Sequence, residues 1–233
     1  MESNVLVSAQ EITKIYHAGK VDFPAIRGLS LEVKQGDFLA LVGPSGSGKT
    51  TLLNLIGALD KVNDGTMTVL DRDIGALSSK ERALLRLQSL GFVFQAYNLV
   101  QVLTALENVE FVLELQGVGA KRQEQAMAIL EELGLGELAH RRPNELSGGQ
   151  QQRVAVARAV VSHPKLVLAD EPTANLDTDN AVALMEMMRR LHDEQEMTFI
   201  FSTHDPRVVT HATRVVTLQD GKVVGDESKL DEV

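Results

Sequence analysis

The sequence predicts an α/β core joined to an N-terminal antiparallel β subdomain and an inserted α-helical lobe. Three observations predict it. Residues 29–33 alternate apolar and polar side chains. Two short runs, Phe38–Val42 and Leu166–Ala169, are continuously apolar. Between them the stretch from Ser78 to Ser162 is dominated by helical spacing. Strands first, then helices, then alternating strands and helices is the order expected of such a layered domain.

The elements follow in chain order. Leu29, Leu31 and Val33 alternate with Ser30, Glu32 and Lys34, the period of a half-buried strand. Gln35-Gly36-Asp37 reads as a turn. Phe38–Val42 is then a strand covered on both faces. A helix is expected from about Gly48, with Leu52, Leu53, Ile56 and Leu59 facing inward. Asn63-Asp64-Gly65 reads as a turn before a short strand from Met67 to Leu70. Ser78 is a capping residue for a helix reaching Arg86. Gly117 and Gly119 interrupt the helical region, and Lys121–Leu133 resumes it through Ala126, Ile129, Leu130 and Leu133. Strands are expected again at Leu166–Ala169 and Thr198–Phe201. The helix between them carries Met185, Met188 and Leu191 on one face, a stripe read as core packing. Asp220-Gly221 marks a hairpin within Arg214–Val224. The whole reads as one domain, residues 1–233, with a core of about 1–95 and 161–233 and a lobe of about 96–160.

Composition narrows the function. A net charge of -9 argues against a nucleic-acid surface. The absence of cysteine excludes a disulfide framework. Met1-Glu2-Ser3-Asn4 opens no basic-then-apolar leader, and no run of about 18 apolar residues occurs. The expectation is a soluble, cytoplasmic chain that reaches a membrane only by docking on a separate subunit. His17, His140, His163, His192 and His211 show no paired metal-ligand spacing.

Gly43-Pro44-Ser45-Gly46-Ser47-Gly48-Lys49-Thr50 fits G-x-x-x-x-G-K-[ST]. Glycines let backbone N–H groups approach phosphate oxygens with no Cβ in the way. The helix opening at Gly48 adds its positive end. Lys49 would reach the β- and γ-phosphates, and the Thr50 hydroxyl would ligate Mg²⁺, with Thr51 next in the same nucleotide-facing turn. The motif follows an apolar strand and opens an amphipathic helix, the placement a phosphate loop requires. The core is thus expected to be of the P-loop NTPase, RecA-like type.

The run Leu166-Val167-Leu168-Ala169 ends in Asp170-Glu171. Alone, two acids after an apolar run describe an ordinary strand end. Beside a phosphate loop, Asp170 becomes the candidate Mg²⁺ acid and Glu171 the candidate base for the attacking water. Pro172 ends the strand there.

Leu146-Ser147-Gly148-Gly149-Gln150 precedes a helix expected from Gln151 to Ser162. Ser147 sits at its cap and two glycines leave the amides exposed, so Ser147 and Gly149 make a second anion cradle. One ATP needs one cradle. A second is explained if it faces ATP held by another copy of the chain.

LSGGQ, preceded by the phosphate loop and followed by LVLADE, resembles the ABC ATPases, and the resemblance covers nearly the whole chain. It implies ATP and Mg²⁺ as ligands, a dimer that closes on two ATP molecules, and an integral-membrane permease partner. It implies further roles by position. Tyr16 matches the aromatic that stacks on adenine. Gln95, in Gly91-Phe92-Val93-Phe94-Gln95, matches the glutamine that touches Mg²⁺ and water near the membrane contact. Asn175-Leu176-Asp177 matches the loop that crosses the dimer interface, and His204 the histidine that contacts the γ-phosphate. GFVFQAYNLVQVLTALENVE and DEPTANLD resemble the ATPase subunits of lipoprotein-release, macrolide-export and cell-division complexes, which transmit force. Val100-Gln101-Val102 and Ala174 depart from that subgroup, which usually has Pro before LT and Gly in place of the alanine. Soluble relatives in DNA repair carry a coiled coil for which this chain has no room, and those of translation carry two such domains. A non-catalytic regulator would tend to lose Glu171 and His204.

Overall fold

The computed structural model describes residues 5–19 and 21–229. Met1–Asn4, on which the reading of the leader rests, lie outside them. A long hairpin opens the chain, β1 (Val5–Ala18) with β2 (Val21–Lys34), and with β4 (Asp64–Val69) and the short β5 (Arg72–Asp73) it forms an antiparallel sheet in the order β2-β1-β4-β5. The second sheet orders β10 (Lys222–Ser228), β9 (Arg214–Gln219), β3 (Phe38–Val42), β8 (Thr198–Thr203), β7 (Leu166–Asp170) and β6 (Leu90–Val93). All its pairs are parallel except the β9–β10 hairpin.

Seven α-helices are described: α1 (Lys49–Ile56), α2 (Ser79–Ser89), α3 (Ala105–Leu115), α4 (Arg122–Glu132), α5 (Gly148–Val160), α6 (Thr178–Gln195) and the short α7 (Pro206–Val209). Ser78, Thr104, Ser147 and Asp177 cap α2, α3, α5 and α6 with their side chains, each meeting a backbone N–H that the helix leaves open.

Strand alternation sorts the core onto two faces. In β3, Leu39 and Leu41 join α1 and the antiparallel sheet, while Phe38 and Ala40 join α3–α6. A parallel sheet covered on both sides needs such unbroken apolar runs. Met185 and Met188 of α6 are buried in the second of these layers, as core.

The structure corrects four expectations. The stretch from Ser78 to Ser162 is not helical throughout, because β6 interrupts it and pairs with β7. Leu59 is exposed, since α1 stops at Ile56 and Ala58 takes a positive φ, which breaks the helical phase. Asp64-Gly65 does not stand outside the strand as a turn: β4 begins at Asp64, which pairs with Thr13 across an irregularity in β1. Leu70 falls outside β4, its positive φ leading into the turn to β5. No helix among the described residues is long and apolar enough to cross a membrane.

Candidate active site

The parallel strands β3, β8 and β7 are neighbours and end together. Val42 pairs with Thr203, and Asp170 with Ser202. The chain therefore delivers three segments to one edge of the sheet: the loop from Gly43, the pair Asp170-Glu171, and His204. In open α/β sheets this C-terminal edge is where ligands bind.

The loop is built around glycines. Gly43 has φ 148, and a Cβ there would lie 2.1 Å from the Leu218 carbonyl oxygen; at Gly48, with φ 106, it would lie 2.7 Å from that of Ala25. No side chain caps α1, unlike α2, α3, α5 and α6. An uncapped helix start that opens behind a glycine loop suits an anion. Lys49 Nζ donates to the Gly43 and Pro44 carbonyls at 2.8 and 3.1 Å, which centres the ammonium in the loop. Ser47 is buried, and its Oγ has no hydrogen-bond partner.

Thr50 Oγ1 donates to Asp170 Oδ1 at 3.1 Å. The same oxygen accepts the Ser202 hydroxyl at 2.5 Å, and that hydroxyl accepts the Glu171 N–H at 3.0 Å. Glu171 has φ 47, a left-handed conformation that costs on the order of 1–3 kcal/mol and persists only when neighbours impose it. Here the bonds from its N–H to Ser202 do so. Its carboxylate meets His204 Nδ1 at 2.9 Å.

A cleft of about 630 Å³ joins most of the candidates: Tyr16, Ser45, Gly46, Gly48, Lys49, Thr50, Thr51, Gln95, Glu171 and His204 line it. Gly43, Pro44 and Ser47 form the loop behind it, and Asp170 is tied to it through Thr50. Ser147 and Gly149 are not among its lining residues. They sit at the start of α5, where Ser147 and Gln150 cap each other reciprocally. Gly148 and Gly149 pack near the Tyr97 hydroxyl and the Asn180 side chain, at 3.1 and 3.0 Å from ideal Cβ positions.

The residues fit a magnesium–triphosphate. Among the described residues no cluster of three His, Asp or Glu side chains could hold a metal by itself. Mg²⁺ is commonly held by one or two carboxylates plus substrate phosphates, and Asp170 beside Thr50 would supply that share.

Two residues around the acids escaped sequence reasoning. Ser202 is one: a hydroxyl in the otherwise apolar run Phe199-Ile200-Phe201 was the only signal. The other is Gln152 of α5, fully buried, whose Nε2 donates to the Pro172 carbonyl at 2.7 Å. It ties the Ser147 helix to the segment after Glu171. Asn175 similarly donates to the Gln95 carbonyl at 2.8 Å, joining two loops. Because Ser202 serves both acids, Ser202→Ala is expected to lower kcat for ATP roughly tenfold, the scale of one hydrogen bond to a charged group. The melting temperature should fall by only a few degrees. An unchanged kcat in a steady-state assay would remove Ser202 from the site.

The family model for the ABC transporter domain matches residues 26–174. The chain belongs to the ABC transporter family. Among relatives of this ABC chain, it is 45% identical over 231 residues to a macrolide export ATP-binding/permease protein MacB of Syntrophobacter fumaroxidans, covering 98% of this chain and 32% of that protein. It is 46% identical over 222 residues to the lipoprotein-releasing system ATP-binding protein LolD of Anaeromyxobacter dehalogenans, covering 94% of this chain and 93% of that one. The chain thus spans about a third of the macrolide-export relative and nearly all of the lipoprotein-releasing one. A dimeric structure of a post-hydrolysis state of the ATP-binding cassette MJ0796, bound to ADP and Pi, superposes with a TM-score of 0.90 at 39% identity, covering 97% of this chain and 99% of that one. The likeness carries the fold as well as the family: a mixed α/β core, an antiparallel β subdomain and a helical lobe.

Proposed function

We propose that this chain is the ATP-hydrolysing subunit of an ABC transporter, working as one half of a dimer that encloses two ATP molecules. The observation that carries the reading is the meeting of the phosphate loop, Glu171, His204 and Gln95 around one cleft, with Asp170 tied to it through Thr50, while the Ser147 cradle lies off it. Mg²⁺, when bound, would neutralise the charge that develops on the phosphates. Lys49 and the loop amides hold the β- and γ-phosphates. Thr50, Asp170 and Gln95 would hold the ion. Glu171 accepts a proton from the attacking water, with His204 beside it toward the γ-phosphate. Ser147 and Gly149 close on ATP bound to the other copy. The core of about 1–95 and 161–233 carries the catalytic groups, and the lobe of about 96–160 carries the cradle.

The permease partner is supported by the names of the relatives and by an apolar groove of about 380 Å³ beside the loop after Gln95, with Leu59, Phe92, Phe94 and Val112 in its wall. Such a groove suits an amphipathic helix of a membrane subunit. The identities to LolD and MacB favour a lipoprotein-release or macrolide-export type of complex that couples hydrolysis to conformational change. The chain then sits on the inner face of the cytoplasmic membrane through that partner, and nucleic acid plays no part.

Two measurements test the composite site. ATPase activity per chain should rise with protein concentration, and full specific activity at high dilution would sink it. A Ser147→Arg chain mixed with a Lys49→Ala chain should regain partial activity, because one of the two interfaces then combines an intact loop with an intact cradle. No recovery in confirmed mixed dimers would count against action in trans.

A further inference from the structure

We propose that Lys14 and Asp60 are positioning residues for the nucleobase, bracing the Tyr16 ring as a fixed wall of the cleft. The inference rests on the reading that Tyr16 takes the adenine, and it adds what holds Tyr16 there.

Lys14 and Tyr16 lie two residues apart on β1, and both side chains reach Asp60. Lys14 is only 9% exposed. A buried ammonium is costly unless paired. Its Nζ donates to Asp60 Oδ1 at 2.7 Å and to the Lys61 carbonyl at 2.9 Å. The other carboxylate oxygen, Oδ2, accepts the Tyr16 hydroxyl at 3.1 Å. Lys14 Nζ also stands 5.0 Å from the centroid of the Tyr16 ring, within the range of a cation–π contact. One carboxylate thus fixes both the cation beside the ring and the ring's polar tip.

Asp60 is itself held. Its Oδ1 accepts the Lys61 N–H at 2.7 Å, and its own N–H donates to the Asn54 carbonyl at 3.2 Å. Asn54 belongs to α1, the helix whose other end is the phosphate loop. The brace therefore links the strand that carries Tyr16 to the element that carries Lys49. Burial pushes the Tyr16 hydroxyl above the ordinary tyrosine value; a Thr51 side-chain bond works against this, and Asp60 adds to the rise. The phenol accordingly stays a donor to Asp60. Burial also pushes the Asp60 carboxyl up, but the bonds from Lys14, Lys61 and Tyr16 outweigh it and hold the group below the ordinary carboxylate value. The Asp60 carboxylate therefore stays charged at neutral pH.

An aromatic side chain that is 39% exposed would otherwise have to be ordered when a base stacks on it. Fixing it beforehand spares the complex that cost, worth about threefold to tenfold in affinity for one side chain. The gain belongs to the base, so a ligand made of phosphates alone should not feel it.

The test is equilibrium calorimetry on the full chain in EDTA, which stops turnover, with two ligands: ATP and inorganic tripolyphosphate. Four proteins are compared. They are the unmodified chain, Tyr16→Ala, Tyr16→Phe, and the double variant Lys14→Met with Asp60→Leu. The double variant replaces the ion pair by apolar groups, so neither charge is left buried alone. Tyr16→Phe keeps the ring and removes only its tether. Both are expected to weaken ATP about threefold to tenfold and to leave tripolyphosphate within about twofold. Tyr16→Ala should weaken ATP at least as much. The brace is overturned if Tyr16→Ala weakens ATP selectively while Tyr16→Phe and the double variant bind like the unmodified chain. It is equally overturned if the double variant loses both ligands in parallel while Tyr16→Phe is silent, since the pair then serves only the fold. If Tyr16→Ala binds both ligands normally, the assignment of the base to Tyr16 fails and the brace with it.

Discussion

A Glu171→Gln chain is expected to bind Mg-ATP, dimerise and stall. Glutamine keeps nearly the volume and the hydrogen-bonding reach of the carboxylate, so the Glu171 N–H bonds to Ser202 and the left-handed turn should persist. What disappears is the proton acceptor, a loss worth roughly 10²–10⁴ in rate. A negative charge close to the γ-phosphate disappears as well, which favours ATP binding. Hydrolysis is what reopens the proposed dimer, so blocking it should trap the closed form. Size exclusion should give a monomer without nucleotide and a dimer with Mg-ATP. Asp170→Asn should differ, because Asp170 also accepts the Thr50 and Ser202 hydroxyls and would hold the ion. That variant should lose the productive ATP state along with turnover. If Glu171→Gln hydrolyses ATP at the normal rate, the base lies elsewhere, and His204, 2.9 Å away, is the next candidate.

The strands that build the catalytic edge were legible because they are buried on both faces. Phe38–Val42 is β3 residue for residue, and Leu166–Ala169 is β7 but for its last carboxylate. β1 was hard to read for the opposite reason. Its pairing with β2 shifts register between Ala9 and Ile12, where Glu11 takes a positive φ, and again between Lys14 and Ile15. Each irregularity resets the two-residue period on which a strand reading depends. β6 was lost because four residues between two helical segments give too little period to count, and what makes them a strand is pairing with β7, more than 70 residues away.

The site divides along the same line. Residues within one contiguous motif could be named as candidates from the sequence: the loop from Gly43 to Thr51, the acids Asp170 and Glu171 at the end of β7, and Ser147 with Gly149. Each needs a residue type at a fixed local spacing, dictated by a helix start or a strand end. Ser202, Gln152 and Asp60 were not readable, because each acquires its role from a partner distant in sequence. Nothing around Asp60 in Leu59-Asp60-Lys61 announces that its oxygens hold Lys14 and Tyr16. The cleft is assembled from short local motifs, while the groups that aim them are placed by the tertiary fold.

Lys49→Ala is expected to bring ATP hydrolysis below detection. Lys49 is 8% exposed, so its charge acts in a poorly solvated place where electrostatic effects exceed those in water. It opens α1, so the helix's positive end and the ammonium would act on the same phosphates. Removing one preorganised donor from developing charge typically costs on the order of 10²–10³ in rate. Here the lost group also carries a full charge toward two phosphates, so affinity for ATP should fall about tenfold or more in the same variant. The fold should tolerate the change. Lys49 Nζ contacts only the Gly43 and Pro44 carbonyls among the bonds described, and Pro44 is exposed. Water can replace the ammonium there, and the nucleotide-free melting temperature should shift by no more than a few degrees. Lys49→Arg separates charge from shape. The planar guanidinium is too broad to sit as a point charge between the loop carbonyls, so it should not restore turnover. ATP hydrolysis by Lys49→Ala at the rate of the unmodified chain would remove Lys49 from the site. Full recovery with Lys49→Arg would mean that the site needs only a positive charge, and that the fit of the lysine within the loop is incidental.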